Sequence, residues 1–377
     1  MKTKIFFLLI LLSSFLNGQD CVLVHGWLNT GSVWNGTGVK SILQNEYNFN
    51  RILQPTIGGT YGNNSANQQS LNLRDYLINN NVSTSVAISY SMGGMNTRYH
   101  LKRQFEIGQP SRISYHFTIG TPHIGAMLAN HSVDAVYRIL ITCEAALRPG
   151  GWLSETIEGI GINYVYAQAA NYAFVLIASE YLNQMIFDLG GPAVNDLKMG
   201  SNADLYINHP NTNYESNIVK VGIAGTEDYP QVYRTAASGV GISDNQMLNY
   251  VDDVIAYKYL VLISDFINWA EDPTPQNLSY LEESLGTLSI VLEFPKTWNL
   301  LVAGTSGESD GIVQKTSQIY PNYNRQYYAN HTNHAEELNH TEVLNRLREG
   351  LNFYGITIPP LHVTISGPTS AQQGSTS

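Results

Sequence analysis

A serine acts as a nucleophile at neutral pH only when a base lies within hydrogen-bond reach and a third group orients that base. The serine best placed for this chemistry is Ser91, in the stretch VAISYSMGGMNTRYHL at 86–101. The stretch opens with apolar residues, Val86, Ala87 and Ile88, turns through Ser89 to Gly94, and continues with helical character to Leu101. Strand, serine, helix is the layout of a nucleophile elbow. Small residues must flank such a serine, because its backbone is strained and its neighbours approach closely. Gly93 and Gly94 meet that demand after the serine, while Ser89 stands before it where a glycine is usual. The bare pattern S-x-S-x-G arises by chance in many chains. Its weight here comes from context, including the upstream phrase VLVHGW at 22–27.

The elements that must position these residues are legible in order. Cys21 to Val24 is a short apolar run that suits a buried strand, stopping at His25-Gly26-Trp27. Ser32 to Tyr47 reads as a first helix, Arg51 to Pro55 as a short strand, and Gly58 to Asn67 as a loop rich in Gly, Asn and Ser. Gln68 to Asn80 carries Leu71, Leu73, Leu77 and Ile78 at helical spacing and leads to the Val86 strand. Further strands are expected over Ile113–Thr121, Asn217–Gly225, Trp298–Gly304 and Gln326–Ala329, and a final helix over Thr341–Tyr354. Alternation of strand and helix implies a parallel sheet with its site at the carboxyl ends of the strands. Two long apolar-rich helical insertions interrupt the alternation, at about 127–197 and 229–295.

The elbow, the HGW phrase, TPH-x-G at 121–125 and GGPAVNDLKMGS at 190–201 together resemble the α/β-hydrolase lipases and esterases of the secreted bacterial type, over roughly Val22 to Leu351. The resemblance implies an α/β fold with a mostly parallel central sheet, helices on both faces and helical cap insertions. It also implies that the backbone N–H groups of Trp27 and Met92 form an oxyanion hole, with His25 propping that loop. In this family the order along the chain is serine, acid, histidine. Asp310, followed by Gly311, resembles the family's acid, with Asp228 as its rival. Three histidines, His331, His334 and His340, lie in the region of the base. The phrase HAEELNHTEVLNRL favours His334, with His340 the alternative and His331 behind both. His123 reads as structural or pocket-lining.

The implied reaction is hydrolysis of carboxylic esters, lipid or long-chain acyl esters above all, through an acyl-enzyme and with no metal or organic cofactor. Two other readings stay open: an acyltransferase using the same residues, and an exported binding protein on a hydrolase scaffold. The insertion at 127–197 is where such lipases carry a cap, which would allow transient contact with a lipid interface; an ordinary helical subdomain is the other reading.

Bulk properties narrow the partners. The formal charge is −10, with no cluster of Lys or Arg, so nucleic acid is a poor partner. Charged residues make up 13% of the chain, against about a quarter in ordinary proteins. Met1 to Gly18 pairs two lysines with the apolar run Ile5–Leu12 and small polar residues, which reads as a secretory signal peptide and implies an extracellular protein. That run is shorter than the ~20 residues of a membrane span, and no other stretch is long and apolar enough to be an integral membrane segment. Two cysteines, Cys21 and Cys143, make no disulfide scaffold and are either paired or two buried thiols. After Pro359-Pro360, residues 359–377 read as a linker or the truncated start of an immunoglobulin-like module.

Overall fold

The computed structural model describes residues 19–58, 64–132, 191–210, 213–228, 231–239, 243–304 and 307–356, with Gly241 and a few positions between 135 and 139. The signal-peptide reading of 1–18, most of the first insertion including Cys143, and the tail at 359–377 fall outside the described residues.

Among the described residues, six strands form one sheet: β1 (Asp20–Val24), β2 (Ile52–Leu53), β3 (Ser85–Tyr90), β4 (Tyr115–Ile119), β5 (Val219–Thr226) and β6 (Arg325–Asn330). Their order is β2-β1-β3-β4-β5-β6, and every neighbouring pair is parallel. The helices that flank them are α1 (Gly38–Glu46), α2 (Ala66–Asn79), α3 (Met92–Glu106), α4 (Gln231–Gly239), α5 (Asp244–Glu271), α6 (Pro275–Ala303) and α7 (Thr341–Phe353). Short helical turns lie at Met127–Asn130, Pro192–Leu197, Asn202–Ile207 and Lys315–Gln318.

Both faces of the sheet are covered, as a parallel sheet requires. Along β1 the side chains alternate between the two sides. Cys21 and Leu23 join Val39, Ile42 and Leu43 of α1 and Val343, Leu347 and Leu351 of α7. Val22 and Val24 join Leu73 and Leu77 of α2 and Leu101 of α3. The fold is an α/β sandwich built on a parallel sheet, with the Ser91 turn at the carboxyl end of a central strand. Cys21 is a buried free thiol in β1.

Two expectations need correction. Ser32–Tyr47 is not one helix: a 3-10 turn at Gly31–Trp34 breaks at Gly36 (φ 79°), and Thr37 caps α1 anew. Trp298–Gly304 is not a strand but the last turns of α6, a helix begun by the Thr274 cap and Pro275. Its buried residues Leu288, Val291, Phe294, Trp298 and Val302 recur every three or four positions, while Leu300 is exposed. That is a helix packing one stripe against α4 and α5, not an alternating strand. The chain therefore reaches the Asp310 loop from a helix.

The interior holds several neutral histidines. Burial pushes His100 down to about 4 and His116 to about 3, and lowers His25 and His123 as well. An unfolded histidine takes a proton near 6.5, which the folded form refuses until the lower value is reached. Each such group thus contributes stability fully present above 6.5 and lost as pH falls toward 4 and then 3. Glu337, Glu227, Asp196 and the exposed His331 are raised and act with the opposite sign, against the four lowered histidines and His340, which burial also lowers. We expect the urea midpoint to fall between about pH 7 and about pH 5, each histidine contributing up to about 1.4 kcal/mol per pH unit. An equal midpoint at both values would contradict neutral burial.

Candidate active site

Strand β3 is buried along its whole length and delivers Ser91 with φ 52° and ψ −131°, a region that L-residues avoid. The Ser91 N–H donates to the carbonyl of Ile119 at the end of β4 (2.9 Å), and the Ser91 carbonyl accepts from the Gly94 N–H (3.1 Å). Two glycines allow the turn to pack against the end of β1. A Cβ on Gly93 would lie 2.5 Å from the carbonyl oxygens of Val24 and His25. One on Gly26 would lie 2.8 Å from the Ser91 Cβ. Ser89 fits without being glycine because its hydroxyl is taken up by Thr97 Oγ1 (2.9 Å) and His116 Nε2 (3.0 Å).

His25 braces the HGW turn. Its Nε2 accepts from the Ile57 N–H (3.0 Å), which leaves Nδ1 as the protonated nitrogen, donating to the Gly26 carbonyl (2.8 Å). The backbone N–H groups of Trp27 and Met92 donate to no carbonyl or side chain among the described residues. The Met92 N–H heads α3, where no helical acceptor exists for it. His123 is fully buried, with Nε2 at Thr118 Oγ1 (3.1 Å) and its ring against Tyr320, and makes no bond to Ser91.

The structure brings Ser91, His334 and Asp310 into one chain of hydrogen bonds. Ser91 Oγ is 2.9 Å from His334 Nε2, and His334 Nδ1 is 2.7 Å from Asp310 Oδ2. With the serine hydroxyl donating to Nε2, Nδ1 carries the proton and donates to Asp310. The Asp310 carboxylate is fully buried and well satisfied. Its Oδ1 accepts from the N–H groups of Ile312 (2.9 Å) and Val313 (2.7 Å), and Oδ2 accepts also from Gln318 Nε2 (3.1 Å). The backbones are tied as well, with the His334 N–H donating to the Asp310 carbonyl at 2.8 Å.

The rival residues lie elsewhere. Asp228 and His331 pair with one another on the exposed surface. His340 stands at the N-cap position of α7 without a capping side-chain bond, and its Nδ1 meets Thr332 Oγ1 at 2.8 Å. Neither histidine bonds Ser91.

Four supporting residues escaped the sequence reading. The Tyr90 hydroxyl donates to the His334 carbonyl (2.5 Å), and its ring stacks on the imidazole with centroids 5.1 Å apart. Gln318 ties Asp310 to the carbonyls of Gly225 and Val313. Trp298 Nε1 donates to the Gly311 carbonyl (2.9 Å), pinning α6 to the Asp310 loop. Glu337 Oε2 lies 3.4 Å from His334 Nδ1. Only Glu337 left a trace in the sequence, three residues past a candidate base, but Glu336 beside it offered the same trace.

Among the described residues, Asp310, His334 and Glu337 are the one trio whose ligand atoms lie close enough to hold a metal ion, within 4.8 Å. With Nδ1–H aimed at Asp310 and Nε2 at Ser91, His334 turns no lone pair toward the carboxyl groups.

No family model and no curated protein matches the chain. Among solved structures it is similar to a Bacillus licheniformis lipase in mature form, at 14% identity and a TM-score of 0.45, over 91% of this chain and 94% of that one. A metagenomic carboxyl esterase aligns at 12% identity and a TM-score of 0.42, over 85% of this chain and 65% of that one. Likeness this distant concerns shape alone.

The strain at Ser91 is testable. Glycine adopts positive φ freely, so Ser91→Gly should stabilise the fold by about 1 kcal/mol, read as a higher urea midpoint. A lower midpoint would mean that the hydrogen bond to His334 outweighs the strain.

Proposed function

We propose that the protein hydrolyses carboxylic esters by acyl transfer through Ser91. The observation that carries this reading is the hydrogen-bonded chain Ser91 Oγ–His334–Asp310, spanning 2.9 and 2.7 Å, with the serine on a strained turn at the carboxyl end of β3. Ser91 Oγ attacks the ester carbonyl carbon as its proton passes to His334 Nε2. Asp310 holds the imidazole by Nδ1 and stabilises the imidazolium that forms. The negative charge on the carbonyl oxygen is met by the free N–H groups of Trp27 and Met92, with His25 keeping the Trp27 loop in place. Collapse of the tetrahedral intermediate breaks the ester C–O bond, and His334 returns the proton to the leaving alcohol. Water, deprotonated by His334, then attacks the acyl-enzyme and releases the acid and free Ser91. No metal or organic cofactor enters these steps.

The insertion supports a reading of the substrate class. Helices α5 and α6 form a hairpin whose outer face shows Leu260, Ile263, Phe266, Ile267 and Leu285 to solvent. Apolar side chains exposed in such number suit contact with a lipid surface. We therefore favour long-chain or lipid esters outside the cell, in keeping with the signal-like N-terminus. No described helix is long and apolar enough to cross a membrane.

Hydrolysis of p-nitrophenyl esters of graded chain length tests the reading. Ser91→Ala and His334→Ala should each lower kcat by about 10⁴-fold or more, and Asp310→Asn by a similar order. His340→Ala should stay within a few-fold of wild type; the reverse pattern would move the base to His340. No turnover by the wild type at any chain length, unless an acceptor alcohol is added, would favour acyl transfer to alcohols instead.

The lipid-surface reading has its own check. Ile263→Glu with Phe266→Glu should weaken binding to phosphatidylcholine vesicles and lower the rate on emulsified triacylglycerol, while hydrolysis of a soluble short-chain ester is retained. Equal loss on both substrates would argue against an interfacial role for the hairpin.

A further inference from the structure

Glu337 is not needed for the chemistry above, yet the fold makes room for it at the centre of the site. Its side chain is fully buried. A Cβ on Gly120 would come within 2.0 Å of its Oε2, and one on Gly225 within 2.5 Å of its Oε1. These glycines stand where β4 ends and near the end of β5, so two strand ends are kept bare to admit one carboxyl group. Neither Glu337 oxygen receives a hydrogen bond from any N–H or O–H donor among the described residues. The charged groups facing it are Asp310, with a carboxylate oxygen within 4.8 Å, His334 Nδ1 at 3.4 Å, and Glu336, its chain neighbour.

An ionised carboxylate in that position would be buried, without a donor, and beside a second carboxylate. Each condition alone is costly. A neutral carboxylic acid meets none of these costs, and its O–H finds an acceptor in Asp310. Asp310 is the partner that keeps the charge, because four donors already converge on it.

We propose that Glu337 is a positioning residue for this site: it remains protonated at neutral pH and donates its carboxyl proton to Asp310, so that His334 faces one negative charge and not two. Burial, repulsion by Asp310 and the hydrogen bond to it all favour the protonated form. The consequence concerns the base. A hydrogen bond donated to Asp310 draws off part of its charge and weakens its hold on the His334 Nδ1 proton. The imidazolium is then less favoured, and His334 stays neutral, able to accept the Ser91 proton, to lower pH.

The importance of this proton for turnover rests on the proposed function, but its position does not. Two readouts need no substrate. The infrared spectrum of the resting protein at neutral pH should carry a protonated-carboxyl C=O band that Glu337→Gln removes; its absence from wild type would overturn the proposal. His334 should also be titrated by NMR in protein labelled at histidine nitrogen, with His334→Ala to assign the signal. Glu337→Gln keeps a neutral donor and should leave the His334 titration within about 0.3 pH unit of wild type. Glu337→Leu removes the donor and should raise it by about 1 unit, moving the acid limb of kcat/KM with it and lowering kcat about tenfold at near-constant KM. A fall of about 1 unit in Glu337→Gln would mean that Glu337 is ionised in the wild type and would refute the idea. So would Glu337→Leu with an unshifted titration. Should Glu337→Leu fail to fold, the infrared band and Glu337→Gln still decide. Should esters not be turned over, the proposed function fails while these spectroscopic outcomes stand or fall alone.

Discussion

The structure depends first on how closely three backbone segments meet at Ser91. The end of β1, the turn after β3 and the first turn of α3 approach so tightly that Gly26 and Gly93 have no room for a side chain. Serine at φ 52° is unfavourable by roughly 1–3 kcal/mol and survives only because its surroundings leave no alternative. The Ile119 carbonyl holds its N–H, α3 begins at once behind it, and the HGW turn, braced by His25, closes over it. The result is a hydroxyl on the turn that also carries the Met92 N–H, and neither this N–H nor that of Trp27 finds an acceptor among the described residues.

The partner of that hydroxyl is assembled from the other half of the chain. Asp310 lies in a loop separated from β5 by the helices α4 to α6, so contacts must fix its position, whereas His334 follows β6, whose register with β5 runs to Asn330. Trp298 ties the end of α6 to Gly311, Gln318 ties Asp310 to the end of β5, and Tyr90 ties the His334 loop back to the residue beside the nucleophile. The long insertion is therefore anchored on the acid loop itself. Thr235 of α4 also donates to the Asp310 carbonyl (3.5 Å), so the insertion meets the acid loop at two points.

What could be read from the sequence is what is local in the chain. The Ser91 elbow, the HGW turn, the strand leading to each and the final helix are encoded by spacing and by small residues at fixed offsets. The histidine and the acid were readable only as short lists, because hydrogen bonds such as His334–Asp310 join residues whose separation carries no period. The end of α6 was misread because Trp298–Gly304 is apolar but for Asn299, and a short apolar run does not distinguish strand from helix; the preceding turns, with Trp298 and Val302 on the same stripe as Val291, decide it. Glu337 and Gln318 were missed because a buried polar residue looks, in sequence, like one on the surface.

That ambiguity runs through the whole interior of this protein. Behind the nucleophile, Ser89 Oγ meets His116 Nε2 (3.0 Å), His116 Nδ1 meets the Tyr320 hydroxyl (2.8 Å), and that hydroxyl donates to Glu215 (2.8 Å). Glu215 in turn pairs with buried Arg98 (2.9 Å), which rises from the helix that Ser91 begins and whose Nη1 donates to the His123 carbonyl. Since Tyr320 donates to Glu215, its oxygen accepts from His116 Nδ1–H, and His116 Nε2 must then accept from Ser89. One carboxylate thus sets the proton direction of every link up to the residue two before the nucleophile. A glycine at 89 would leave His116 Nε2 buried without a donor, a cost of about 1–3 kcal/mol. The serine at this position is therefore the end of a buried hydrogen-bond chain as much as a small residue beside a tight turn.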